Sequence, residues 1–429
     1  MQYLLDERRF GNLSTPDFLR IQTESVYPRI RHSSRHFPSK MANAVNTIDV
    51  DRRDCQFLLS GGSDSSIHLF KCDSGALQEV SSIPRKVAHD FGVSHVSWWP
   101  QDAGMFVSSS FDHKIKVWDT STLEDVYSFD IGSRIYNFDI SDSNSQPLLA
   151  CGNDTPMIRL LDLRSTSTSH TLSGHKGRVL AVKWSPTNSN ILASGGIDGN
   201  VRLWDVRRGN SCIYDFNAND TIEDDTSESF AIKRRKLSED NRAHDGAVNG
   251  LLFNESGNKI VTCGLDEKIR VWDLTSPSRP LNELVNFGPL VRNKFSQHLE
   301  MALSPRTETE MQFLWFPNDN GEILVFRVID GKLIARLSQG SDAKRVTCVK
   351  YGGNRSCRYF SGNLDGSLNI WSEGLASKDR PGKIQLQQAG ETEEAKSTSQ
   401  TMEPDILNRI QAEIEAKKLV NSSGYSRIN

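Results

Sequence analysis

The chain has 429 residues, 37% hydrophobic and 24% charged, which is the composition of a soluble globular protein and the length of one large all-β domain or two to three ordinary ones. A formal net charge of -3 excludes a general pull toward nucleic acid or anionic membrane. No apolar run approaches the roughly 18 residues of a membrane span, and the opening "MQYLLDERRFGNL" carries Asp6 where a signal peptide would need an apolar core. Seven cysteines without a C-x-x-C pair point to reduced thiols inside a cell. Cys151, Cys263 and Cys348 fall in apolar strand patterns and read as small buried hydrophobes rather than ligands or nucleophiles.

Residues 1–36 form an N-terminal segment of short helices. Ser14 or Thr15 caps a helix that has Pro16 at its first position, Asp17 in its first turn and apolar Phe18, Ile21 and Val26, with Pro28 ending it. Upstream, Tyr3, Leu4, Leu5 and Phe10 make a second short amphipathic stretch. Such a pair either packs on the following domain or offers its apolar face to a partner. His32 and His36 have helical spacing but no third ligand nearby in sequence, so they read as a solvated face.

From residue 37 to 373 the sequence repeats. Each unit has an alternating apolar strand, a turn, a strand ending in small or hydroxyl residues, an Asp turn, and Ile-x-Val-Trp or a variant. Seven copies are present: "SGGSDSSIHLF", "SSSFDHKIKVWD", "ACGNDTPMIRLLD", "ASGGIDGNVRLWD", "TCGLDEKIRVWD", "PNDNGEILVF" and "SGNLDGSLNIW". The steps Trp118 to Leu161 and Leu161 to Trp204 are both 43 residues, the period of a four-stranded propeller blade. The fold expected is all-β, a seven-bladed β-propeller.

A buried turn Asp needs partners, and three copies supply them at matching spacings: His89, Ser108, Asp112 and Trp118; His175, Ser194, Asp198 and Trp204; His244, Thr262, Asp266 and Trp272. One Ser/His/Asp set recurring once per blade is a structural hydrogen-bond network and not a set of catalytic triads. Copies three and six have Ala150 and Phe316 at the hydroxyl position and no His, so packing must hold them.

After the fourth copy, an insertion over about residues 209–241 contains the acidic-polar "NANDTIEDDTSES", expected to be disordered, and "IKRRKLSED". Its basic run Lys233, Arg234, Arg235 and Lys236 reads as a nuclear import signal and places the protein in the nucleus. Residues 374–429 form a flexible tail with a helix at about 404–419, where Ile406, Ile410 and Ile414 repeat at helical spacing.

There is no phosphate-binding loop, no H-E-x-x-H, no G-x-S-x-G and no paired cysteine zinc ligands, so the chain reads as no enzyme, with no cofactor, catalytic or metal residues. The spacings and the Trp-Asp pairs at Trp118, Trp204 and Trp272 look like WD40 repeats over about three quarters of the chain. Trp204-Asp205-Val206-Arg207 resembles the W-D-x-R motif of WD40 receptors that dock on the adaptor of cullin-4 ubiquitin ligases, and Leu161-Asp162-Leu163-Arg164 is a looser copy. The stretches "VSWWPQDAGMFVSSSFDHKIKVWDTSTL", "LAVKWSPTNSNILASGGIDGNVRLWDVRR" and "AHDGAVNGLLF" are similar to the Cockayne syndrome A protein family.

That resemblance implies a substrate receptor of a cullin-RING ligase in transcription-coupled nucleotide excision repair. Its partners would be the ligase adaptor (the large subunit of damaged-DNA-binding protein), a repair ATPase of the Cockayne syndrome B family and stalled RNA polymerase II. The adaptor would meet Arg164, Asp205 and Arg207 on the bottom rim together with Leu4, Leu5, Phe18 and Ile21. Aligning the copies puts Arg134 and Tyr136, Arg178 and Leu180, Arg345 and Thr347 on the opposite face, with Phe111, Ile197, Leu265 and Leu364 near the turn Asp positions. Apolar residues ringed by arginines suit a protein partner, whereas the charge balance supports neither autonomous nucleic-acid binding nor membrane binding. The alternative is a chromatin or histone-binding scaffold with no ligase association.

Overall fold

A computed structural model describes residues 8–9, 14–33, 41 and 43–373, apart from 74–75, 143–146, 164, 166, 209–211, 222–241, 276–278, 341–343 and 354–356. Leu4, Leu5, Arg164, the basic run 233–236 and the tail with its expected helix lie outside the described residues.

Seven four-stranded antiparallel sheets form the blades of a β-propeller. In blade four the strands run outward from the axis as Val179–Trp184, Ile191–Gly196, Val201–Asp205 and Cys212–Asp215. Inner strands are buried along most of their length, and Val93–Trp98 of blade two along all of it, because neighbouring blades cover both faces. The outer strand Asp125–Asp130 of that blade is mostly exposed. Because strands alternate in direction, the turns between second and third strands share one end of the ring with the approaches to the inner strands. The turns after the inner and third strands share the other end. These ends are the top and bottom faces.

The ring closes with residues from the N-terminal segment. Ile30–His32 pairs with Leu368–Glu373 and supplies the outer strand of blade seven, so the propeller starts at residue 30 and not at 37. The preceding helix α1, Thr15–Glu24, is capped by Ser14, whose hydroxyl accepts the Asp17 N–H at 3.3 Å. Glu24 carries α1 onto the bottom face: its Oε1 accepts the backbone N–H groups of Glu310 (2.7 Å) and Met311 (2.8 Å). Tyr27, in the turn that follows, stacks on Phe313 with ring centroids 4.5 Å apart and shares a 2.8 Å hydroxyl bond with Tyr359.

Part of the expected disordered insertion is ordered. Cys212–Asp215 is the outer strand of blade four, and Phe216 is fully buried edge-on against Trp272 of blade five, 5.0 Å between centroids. Blade four needs this strand to complete its sheet, and an aromatic that fills the gap between blades offsets the entropy of ordering the segment.

Blades three and six lack the polar network at their hydroxyl position and are filled by apolar side chains. Ala150 and Phe316 are both fully buried, Ala150 with Ile158, Leu160 and Leu172, and Phe316 with Leu314, Leu324 and Phe326. Blade six also has an inner strand of only two residues, Ala302–Leu303. The chain ahead of it runs irregularly along the axis: the Leu299 N–H donates to Asn249 O of blade five, and Glu300 bridges to Cys348 of blade seven.

Candidate functional site

The three polar networks are complete. In blade two His89 Nδ1 lies 2.8 Å from Asp112 and Nε2 2.7 Å from Ser108 Oγ, which also accepts the Trp118 indole N–H at 2.8 Å. Blade four repeats this with His175 to Asp198 (3.1 Å) and Ser194 (2.7 Å), and Trp204 to Ser194 (2.8 Å). Blade five uses His244, Asp266, Thr262 and Trp272 at 2.8–2.9 Å. Burial works to raise the Asp112 carboxyl, but the hydrogen bond and charge of His89 outweigh it and hold the group below the usual carboxylate range. Each hydroxyl sits at the centre of its blade, out of reach of a substrate, so the sets are structural.

On the bottom rim the third strand of blade four delivers Asp205, Arg207 and Arg208. Asp205 is buried, and its carboxylate takes Arg207 Nε and Nη2 at 3.0 Å each, the Arg207 backbone N–H at 3.1 Å, and Arg208 Nε at 3.3 Å. The Arg207 side chain keeps 62% of its surface in solvent. Arg207 is therefore presented to a partner, whereas Asp205 orients it from behind and is not itself an accessible contact. Phe18 and Ile21, expected to meet the adaptor, are each only 5% exposed and pack within this chain, so the docked α1 does not offer them. Leu19, on the other side of α1, is exposed.

The top face carries a continuous apolar and polar chain across blades two to four. Phe111 meets the Tyr136 ring edge-on at 6.0 Å, and the Tyr136 hydroxyl donates to Asp154 Oδ1 at 2.9 Å. Arg178 Nε approaches the same oxygen at 2.8 Å, and its backbone carbonyl accepts the N–H of exposed Ile197. Burial, then the Asp154 carboxylate, raises the Tyr136 phenol above its ordinary value, so it stays a hydrogen-bond donor. Arg134 is exposed at the edge of the patch. Leu265 and Leu364 lie farther round the ring, Leu265 half-buried and Leu364 exposed.

Three expected top-face residues are not available. Arg345 is 8% exposed, paired with Asp319 Oδ1 at 2.8 Å and lying 4.1 Å over the Phe295 ring. Leu180 is buried, and Thr347 is buried with its hydroxyl donating to the backbone carbonyls of Val45 and Gly362. One-residue shifts along an inner strand reverse the side chain's direction. Phe91, which alignment of the copies missed, has 64% of its surface exposed where the chain enters blade two, and Gly92 beside it accepts the Phe111 N–H. An exposed aromatic directly after the His89-Asp90 turn was the available signal.

Comparison with known proteins agrees with this geometry. The family model described as "WD domain, G-beta repeat" matches residues 81–119, 166–205 and 235–273, which contain the residues of the three complete networks. The chain is 27% identical to the WD repeat-containing protein ATCSA-1 of Arabidopsis thaliana, over 87% of this chain and 96% of that protein. It is also 27% identical to Radiation-sensitive protein 28 of Saccharomyces cerevisiae, over 71% of this chain and 60% of the yeast protein. A shorter match, 26% identical over 51% of this chain, is to Histone acetyltransferase type B subunit 2 of Candida glabrata.

Proposed function

We propose that this WD40-repeat protein is a non-catalytic substrate receptor of a cullin-RING ubiquitin ligase, acting in transcription-coupled repair in the nucleus. The observation that carries the reading is Arg207. It stands in solvent at the end of a Trp-Asp-Val-Arg sequence, held by buried Asp205, on the same face to which α1 is docked. A fixed guanidinium can make paired hydrogen bonds to carboxylates or carbonyls of an adaptor at little entropic cost. The Cockayne syndrome A resemblance supplies the adaptor as the large subunit of damaged-DNA-binding protein. A relative matching nearly its whole length in Arabidopsis, and a yeast relative named for radiation sensitivity, support a repair role.

The top face then serves the repair side. Phe91, Phe111, Tyr136 and Ile197, flanked by Arg134 and Arg178, form an aromatic and arginine surface of the kind that anchors protein partners. The partners proposed for it are the repair ATPase of the Cockayne syndrome B family and, through it, RNA polymerase II.

The test is affinity purification from nuclear extract after ultraviolet damage, with wild type compared with Arg164→Ala/Arg207→Ala. Recovery of cullin-4 and its adaptor by wild type alone supports the proposal. Equal ligase recovery from both proteins removes the arginines from the reading, and recovery of histones without any ligase favours the chromatin scaffold, the role suggested by the Candida relative.

A further inference from the structure

We infer that the central channel holds a binding site for a zinc-type divalent transition metal, with His95, His298 and Glu300 as its protein ligands. His95 stands on the inner strand of blade two, while His298 and Glu300 come from the irregular segment that runs along the axis before blade six. One ligand atom from each of the three lies within 4.8 Å of the others. Zinc bonds of about 2.0–2.2 Å place neighbouring tetrahedral ligands about 3.3 Å apart. His95 Nδ1 and Glu300 Oε1 are already 3.1 Å apart, so an ion can replace the proton between them with almost no movement.

His298 supplies the second, independent observation. Its Nε2 is 2.6 Å from the Asn137 carboxamide, while its Nδ1 is buried without a partner. Asn137 Oδ1 is likewise buried and unpartnered. The two ends of a carboxamide exchange by a half-turn. That rotation lets Nε2–H donate to Oδ1 and leaves the lone pair of Nδ1 for an ion. A ligating histidine usually has its other nitrogen fixed in this way.

The surrounding charges tolerate a cation. Lys350 is 3.5 Å from Glu300 Oε1, but it also has Asp49 at 3.4 Å, and Lys183 is paired with Asp139 at 2.6 Å. Glu300 Oε2 is fixed by the Thr47 hydroxyl (3.3 Å) and the Ile48 N–H (3.4 Å), which aims Oε1 at His95. Two imidazoles and one carboxylate form a donor set suited to zinc and unsuited to magnesium or calcium. A bound ion would tie blade two to the segment before blade six across the axis, a cross-link that no backbone pairing among the described residues provides.

The full-length protein is stripped with a chelator, equilibrated with zinc chloride, desalted and assayed for metal content, and its melting temperature is followed with and without zinc. About one equivalent per chain, a zinc-dependent rise in melting temperature, and a ligand-field absorption on cobalt substitution are expected. His298→Gln and His95→Gln should each lose the metal and the melting shift while keeping the β-sheet circular dichroism. If either fails to fold, Asn137→Ala replaces it, with about 10- to 100-fold weaker zinc binding expected. No zinc retained by wild type, or equal retention by the folded variants, overturns the site.

Discussion

Asp205 holds Arg207 through two parallel contacts of 3.0 Å, while the carboxylate is buried and the guanidinium faces solvent. In Arg207→Ala the carboxylate keeps the backbone N–H of residue 207 and Arg208, so the loss to the fold is modest. Arg207→Ala should lower the denaturation midpoint only slightly and abolish adaptor binding in a purified pull-down. Arg207→Lys keeps the charge but not the fork, and should bind more weakly than wild type. Asp205→Asn should weaken binding through loss of orientation with Arg207 still present. Wild-type binding by Arg207→Ala would show that this rim is not the docking edge.

In blade four one hydroxyl accepts the Trp204 indole N–H and donates to His175 Nε2, so removing it strands both His175 and Trp204. Each unsatisfied buried group costs about 1–3 kcal/mol. Ser194→Ala should therefore destabilise the protein by about 2–4 kcal/mol in urea denaturation. Ala150→Ser, the reverse change at the matching position of blade three, should also destabilise, because no His waits there to receive the hydroxyl. A stabilising Ala150→Ser would mean that blade three is held differently from its packed core.

The repeated network made the ring legible in the sequence: Asp, His, hydroxyl and Trp recur at fixed spacings because blades two, four and five must each satisfy the same buried carboxylate. The signal faded where pairing crosses long sequence distances. Ile30–His32 is too short to show alternation, and it is a strand only because blade seven has an open edge. Arg345 sits at an outward-reading position, but Asp319 of blade six and Phe295 of the segment before that blade cover it. The His95–Glu300 contact joins residues far apart in sequence, and no local pattern marks it.

The network carboxylates set the acid limit of the fold. Asp112 and Asp198 are both held below their ordinary pKa, since their histidine partners outweigh the effect of burial. A carboxyl whose folded pKa lies below the unfolded value of about 3.9 contributes full stability above that value and loses it as pH falls toward the folded pKa. The share of stability these carboxylates supply should thus hold between neutrality and about pH 5 and fall steeply below about pH 4. That fall comes on top of the milder loss below about pH 6.5 that histidines held neutral by burial, such as His244, impose on the urea midpoint. Asp198→Asn should lower stability at pH 7 and make the acid slope shallower. An unchanged slope would place the acid sensitivity in other carboxylates.

The docking of α1 rests on Glu24 and Tyr27, and substitutions at these two residues should act in different ways. Glu24→Ala strips the partner from the Glu310 and Met311 amides, so hydrogen exchange at those two positions should accelerate while amides of the inner strands stay protected. Glu24→Gln retains an acceptor oxygen and should restore part of that protection. Tyr27 is buried against Phe313, Trp315 and Tyr359 one turn before the strand that closes the ring. Tyr27→Ala should cost about 3–5 kcal/mol and loosen the Ile30–His32 pairing, so exchange should rise in Leu368–Glu373 as well. If Tyr27→Ala frees α1 but leaves Leu368–Glu373 protected, the closing strand holds its edge independently of the helix, and an adaptor could displace α1 without opening the propeller.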